Sequence, residues 1–171
     1  PENYGGNART SAYLGIVYTI LGEYEKAKSL LDQSLLIYQN HFSPNHVGVA
    51  WVSAHLGNAY GELGDYEKAK LYLYKAYRLF SAKEFETYLG KPQLIESYHS
   101  NMLMLAECSM ELKQYDSCYK YLNITRELQK KGGLFHNAIY CDNVEARFFF
   151  RQKQFAEEAK MWREKMMEVV C

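Results

Sequence analysis

No sign of charge prevails in this chain. Its 20 Lys and Arg stand against 20 Asp and Glu, and the balance holds on both sides of Gly90, with 8 basic and 9 acidic residues before it and 12 and 11 after. A nucleic-acid-binding face or an anionic-membrane patch needs a basic surplus, so neither partner is expected. No apolar run approaches the roughly 20 residues that span a bilayer, and nothing at the start reads as a signal peptide. Prolines number only three, which leaves room for long helices. The four cysteines, Cys108, Cys118, Cys141 and Cys171, form no Cys-x-x-Cys pair and match no zinc spacing, so a reduced, cytoplasmic chain is expected. The Asn123-Ile124-Thr125 sequon falls inside a predicted helix and is read as chance. Catalytic signatures are missing too: no phosphate-binding Gly-x-x-x-x-Gly-Lys loop, no Gly-x-Ser-x-Gly elbow, no His-Glu-x-x-His. The five histidines, His41, His46, His55, His99 and His136, lie on different predicted elements without ligand spacing. No enzyme activity, cofactor or metal is expected.

What the chain has is apolar and aromatic side chains at helical spacing. Between Ser53 and Tyr77 two patterns meet at Leu63-Gly64-Asp65. Leu56, Ala59, Tyr60 and Leu63 recur at three- and four-residue steps before that point; Tyr66, Ala69, Leu73, Ala76 and Tyr77 do so after it. Gly64 suits the left-handed end of one helix and Asp65 the cap of the next. Gly57, Ala59 and Ala69 are small enough to let the two helices approach closely. The stretch predicts a helical hairpin.

The hairpin has a copy 42 residues earlier, Ser11–Tyr38. Between Ser11 and Leu31, 13 of 21 positions are identical at that offset. Self-similarity at a fixed period marks stacked units. Leu14-Gly15-x-x-Tyr18 and Leu56-Gly57-x-x-Tyr60, followed by Ala27-x-x-x-Leu31 and Ala69-x-x-x-Leu73, resemble the tetratricopeptide repeat. Ser11 and Ser53 stand where that family has Trp, and its closing Pro is absent. The 42-residue period and the linker Ser43–Ala50 are similar to repeats of the kinesin light chain type over residues 1–82, with Val47 where that group usually has Pro.

Read in order, repeat one covers about 8–40 and repeat two about 47–82. The segment Lys83–Pro92, with Phe85, Tyr88 and Leu89, is expected to pack against the array, and Gly90-Lys91-Pro92 to break helix. A degraded repeat over 93–131 carries Leu94, Tyr98, Met102, Leu105, Ala106 and Leu112, then Tyr115, Cys118, Tyr119, Leu122 and Leu128. Its turn, Leu112-Lys113-Gln114, lacks glycine. A last pair over 134–170 carries Ile139, Val144, Ala146, Phe148 and Phe149, then Phe155, Ala159, Trp162, Met166 and Val169. The expected architecture is all-α: eight helices in four antiparallel hairpins. The resemblance implies a right-handed superhelical solenoid. The first residues align with the linker ahead of repeat two, so the sequence reads as a piece of a longer chain. The C-terminal stripe is expected to support self-association.

The resemblance also implies that the first helix of each hairpin lines a concave surface, with Arg9, Tyr13 and Ile16 from repeat one. Trp51, His55, Asn58 and Glu62 come from repeat two, Met104, Glu107 and Glu111 from repeat three, and Tyr140, Asn143, Arg147 and Arg151 from the last. For any one of these the alternative is ordinary repeat surface. Acidic Glu62, Glu107 and Glu111 beside the arginines speak against a groove for acidic peptides. The function expected is a non-catalytic module that binds a peptide or partner protein; the alternative is a regulatory, sensor or scaffold array attached to another domain.

Overall fold

The 42-residue echo in the sequence is an echo in backbone geometry. The computed structural model describes residues 3–80, 92–132, 141–154 and 156, and among these there is no strand. Among the described residues seven helices follow one another: α1 (Tyr4–Ile20), α2 (Tyr24–His41), α3 (Val47–Glu62), α4 (Tyr66–Phe80), α5 (Pro92–Glu111), α6 (Tyr115–Gly132) and α7 (141–154). Neighbours pair as hairpins α1–α2, α3–α4 and α5–α6, and α2 packs on α3 as α4 does on α5. The expected eighth helix, with Phe155, Ala159, Trp162, Met166 and Val169, lies outside the described residues, as do Phe85, Tyr88 and Leu89.

All three hairpin turns share one geometry. Gly22, Gly64 and Lys113 take positive φ of 76°, 79° and 58°. In each turn that residue's N–H bonds the carbonyl three back, and the next N–H reaches five back: Glu23 to Tyr18, Asp65 to Tyr60, Gln114 to Ser109. This pairing satisfies the last carbonyls of the first helix. Asp65 caps α4, its Oδ1 accepting from the Lys68 N–H at 3.2 Å. Lys26 and Lys68, one period apart, lie 5.6 and 5.5 Å over the rings of Tyr18 and Tyr60.

Small residues set the distance between paired helices. A Cβ on Gly57 would lie 2.5 Å from Leu73 Cγ and 3.1 Å from the Ala69 carbonyl oxygen; one on Gly15 would meet Leu31 and the Ala27 carbonyl in the same way. Between hairpins, Leu31, Leu35 and Tyr38 of α2 bury against Val49, Val52, Leu56 and Ala59 of α3. Ala69 and Leu73 begin the next cluster, which runs through Met102, Leu105, Cys108, Cys118 and Leu122 to Val144 and Phe148 of α7.

Some details depart from the sequence pattern. Helix α1 opens at Tyr4, ahead of the expected Ala8, because Asn3 Oδ1 accepts from the Gly6 N–H at 2.9 Å. Pro92 is the first residue of α5 rather than a breaker ahead of it, a position where its missing N–H costs nothing. In α7 the buried face is Cys141, Val144 and Phe148, so Ala146 and Phe149 point outward. Leu63 and Tyr119 are also exposed; Tyr119 stacks on Phe148 at 6.2 Å between ring centres.

Candidate binding face on the first helices

Helices α1 and α3 carry the sequence-predicted row in register: Arg9, Tyr13 and Ile16 on one, Trp51, His55, Asn58 and Glu62 on the other. Three of these rings form a run. Tyr13 meets the Trp51 ring edge-on at 5.1 Å, and Trp51 meets His55 at 5.4 Å, nearly perpendicular. Tyr13 is 57% exposed, whereas Trp51 and His55 are half-buried. Desolvation holds the His55 imidazole down to about 4, so at neutral pH it is uncharged and offers one donor and one acceptor.

Around the run the residues divide. Arg9 is exposed. It lies close enough to Tyr38 to oppose the rise that burial imposes on that phenol. Ile16 and Asn58 are half-buried, and the Asn58 Oδ1 is shielded from solvent without a donor among the described residues. Glu62 is exposed at the turn end of α3 and its Oε2 accepts from the Tyr24 hydroxyl at 3.4 Å, apart from the rings.

The second half of the row is built differently. Met104 of α5 sits against α3, its Sδ 2.9 Å from where a Gly61 Cβ would be. Glu107, Glu111, Arg147 and Arg151 form a ladder between α5 and α7. Arg147 Nη1 lies 2.5 Å from Glu107 and Nη2 3.3 Å from Glu111; Arg151 Nη1 lies 2.8 Å from the other Glu111 oxygen. The two carboxylates are only 15% and 22% exposed. The hydrogen bond to Glu111 raises the Arg151 pKa. These four charges are therefore spent on one another. Asn143 is exposed on α7, and Tyr140 lies outside the described residues.

Two side-chain arrangements outside this row escaped the sequence reading. Tyr38, on a second helix, lies across Gly48, where a Cβ would fall 2.4 Å from its ring. The Gly48 beside an aromatic-rich linker was the signal available. Arg126 of α6 pairs with Asp142 at 2.6 Å and with Glu145, a contact between elements with no sequence motif to announce it.

The remaining reactive groups are structural. Cys108, Cys118 and Cys141 are free and fully buried. Cys108 and Cys118 share one cluster across the α5–α6 hairpin, and burial pushes both thiols up to about 12, which removes the thiolate needed for nucleophilic chemistry. Among the described residues no group of three or more His, Cys, Asp or Glu is placed to hold a metal ion, and no helix is long and apolar enough to cross a membrane.

No curated protein sequence matches the chain. Residues 7–82, from α1 through α4, match the model of the family described as tetratricopeptide repeat. Repeats of that family are in general protein–protein interaction modules rather than catalysts. Paired helices, glycine-spaced contacts and a 42-residue period coincide with that match, so α1–α4 are repeats of the tetratricopeptide type.

Proposed function

We propose that the chain is a non-catalytic protein-binding module that takes a peptide segment along the first-helix row, taken as the concave face and centred on α1 and α3. The Tyr13–Trp51–His55 run carries this reading. Rings in edge contact, with one of them more than half exposed, form a rigid apolar platform that gains area on binding without losing much side-chain freedom. Beside the platform, the half-buried Asn58 side chain brings an amide donor for a peptide carbonyl, and Arg9 offers an exposed cation. Met104 extends the apolar floor. The Glu107–Arg147–Glu111–Arg151 ladder contributes less, because a ligand must break existing pairs to use it. Asn143 and Glu62 form the rim. Unpaired buried thiols suit a reducing, cytoplasmic setting.

The test is selection of binding peptides from a random display library, followed by titration against single variants. Trp51→Ala removes the centre of the platform, and such aromatic anchors typically contribute about 2 kcal/mol or more. Binding should fall at least tenfold, by about 1.4 kcal/mol or more. Asn58→Ala should weaken it several-fold with helicity retained, whereas Arg78→Ala, on α4, should do neither. Loss of binding in Arg78→Ala but not in Trp51→Ala places the interface on the second helices and sinks the proposal.

A further inference from the structure

The open side of α1 has a covered equivalent one repeat later. Gly6, Thr10, Leu14, Val17 and Tyr18 are 42 residues ahead of Gly48, Val52, Leu56, Ala59 and Tyr60. On α3 that set lies under α2, and Val52, Leu56 and Ala59 are 0% exposed. On α1 the corresponding Leu14 and Val17 are 45% and 48% exposed, and Ile20 and Leu21 beside them 79% and 66%. Together these make a continuous apolar strip along one side of α1, uncharged along its length. Its exposed side-chain area is of the order of 500 Å², which amounts to about 1,000 Å² counted over both partners and reaches the lower range of specific interfaces.

The α2–α3 contact shows what such a face accepts. Leu31 and Leu35 fill the positions over Val52, Leu56 and Ala59. Lys28 Nζ lies 5.0 Å over the Tyr60 ring. The Tyr38 ring rests on Gly48, where any side chain would collide with it. Each receiving feature recurs on α1: Leu14 and Val17 for the leucines, Tyr18 for the ammonium, Gly6 for the aromatic ring. The exposed Asn3 side chain now covers Gly6 and would swing aside. We infer that the Gly6–Thr10–Leu14–Val17–Tyr18 face of α1 is a docking socket for an amphipathic helix of α2's kind, with Lys at position i, leucines at i+3 and i+7 and an aromatic at i+10. This surface continues the register of an interface already present in the fold and is separate from the aromatic platform, so either assignment stands without the other.

The probe is a synthetic peptide of residues 24–41, fluorescently labelled, titrated with the whole chain and followed by anisotropy. Binding is expected, weakened about tenfold or more by Leu14→Glu or Val17→Glu in the chain. Because both side chains are nearly half exposed, these variants should keep the parent circular dichroism; a charge at Leu36, which is 57% exposed on α2, controls for nonspecific effects and should leave binding unchanged. A peptide with Leu31 and Leu35 replaced by Glu should not bind. Three results overturn the inference. One is no binding up to about 1 mM peptide, another is binding indifferent to Leu14→Glu, and the third is a chain whose mass by light scattering doubles through this face, which would assign it to a second copy.

Discussion

Gly57→Ala and Gly61→Ala make the same chemical change on the same helix, one turn apart, and the packing predicts opposite outcomes. Both gain about 1 kcal/mol from replacing a helical glycine by the best helix former. At Gly57 the new methyl would lie 2.5 Å from Leu73 Cγ, 2.8 Å from its Cδ2 and 3.1 Å from the Ala69 carbonyl oxygen. Leu73 is fully buried, and Cγ and a helix carbonyl are not loose ends that swing aside. Relief requires α3 and α4 to part, an overpacking cost of about 1–3 kcal/mol. With Leu73 sealed and a backbone carbonyl in the way the cost lies toward the upper end, and we expect a net loss of up to about 2 kcal/mol, a fall in melting temperature of a few degrees in a chain of this size. At Gly61 the nearest atom is Met104 Sδ at 2.9 Å, with the other Met104 atoms at 3.7 Å. An unbranched thioether turns away at little cost, so the propensity gain survives and Gly61→Ala is expected to be neutral or up to about 1 kcal/mol more stable. Urea unfolding followed by far-ultraviolet circular dichroism reads both. If Gly57→Ala matches or exceeds the parent, or the two variants shift together, glycine does not set the α3–α4 spacing.

Lys113, the one non-glycine turn residue with positive φ among the described residues, takes an unfavourable conformation at the α5–α6 turn. Lys113→Gly should stabilise the chain by about 1 kcal/mol, read as a melting temperature a few degrees higher; an unchanged or lower value would show that the turn carries no strain. For pH, His55 is neutral when folded and its folded pKa lies below the unfolded 6.5, at about 4. The unfolded chain therefore binds more protons between these values, and stability is complete above about 6.5 and drains as pH falls toward 4, by up to about 3 kcal/mol. His46, whose Nδ1 accepts from the Gly48 N–H at 3.0 Å and whose pKa burial lowers, adds a loss of the same sign. His55→Gln should flatten the profile measurably between pH 7 and 4.5; an identical slope would remove His55 as the cause.

The fold was legible where the sequence repeats itself and less so where it does not. Gly22 and Gly64 announce their turns because only glycine takes that backbone without strain, while Lys113 holds the same conformation at a cost that no pattern reveals. The four-, three- and four-residue steps from Trp51 to Glu62 were legible as one side of α3, whereas the contacts of Tyr13, Trp51 and His55 depend on how two hairpins pack and left no mark in the spacing. The Arg147 pairs with Glu107 and Glu111 bridge 40 and 36 residues between the degraded repeat and α7, where the repeat motif has faded, so spacing gave no hint that these charges close on one another. Outward Ala146 and Phe149 show the same limit: an aromatic-rich run carries too many apolar side chains for periodicity to pick the buried face. Leu14 belongs to the Leu-Gly-x-x-Tyr motif whose counterpart Leu56 is buried, yet it faces outward, because a motif in sequence says what a helix accepts and not whether its neighbour is there.

The buried cysteines give the molecule a built-in reporter with a definite address. Cys108, Cys118 and Cys141 all sit beyond α4, and the first two hairpins contain none. Each is sealed and protonated, so an added disulfide reagent reacts only when its surroundings open. With Cys171 replaced by Ser, the labelling rate of the parent chain therefore measures openings of α5–α7 and is blind to those of α1–α4. Comparing that rate with global unfolding would show whether the regular and the degraded repeats come apart together or in sequence, a question of cooperativity along the array that the natural thiols allow to be asked without adding a probe.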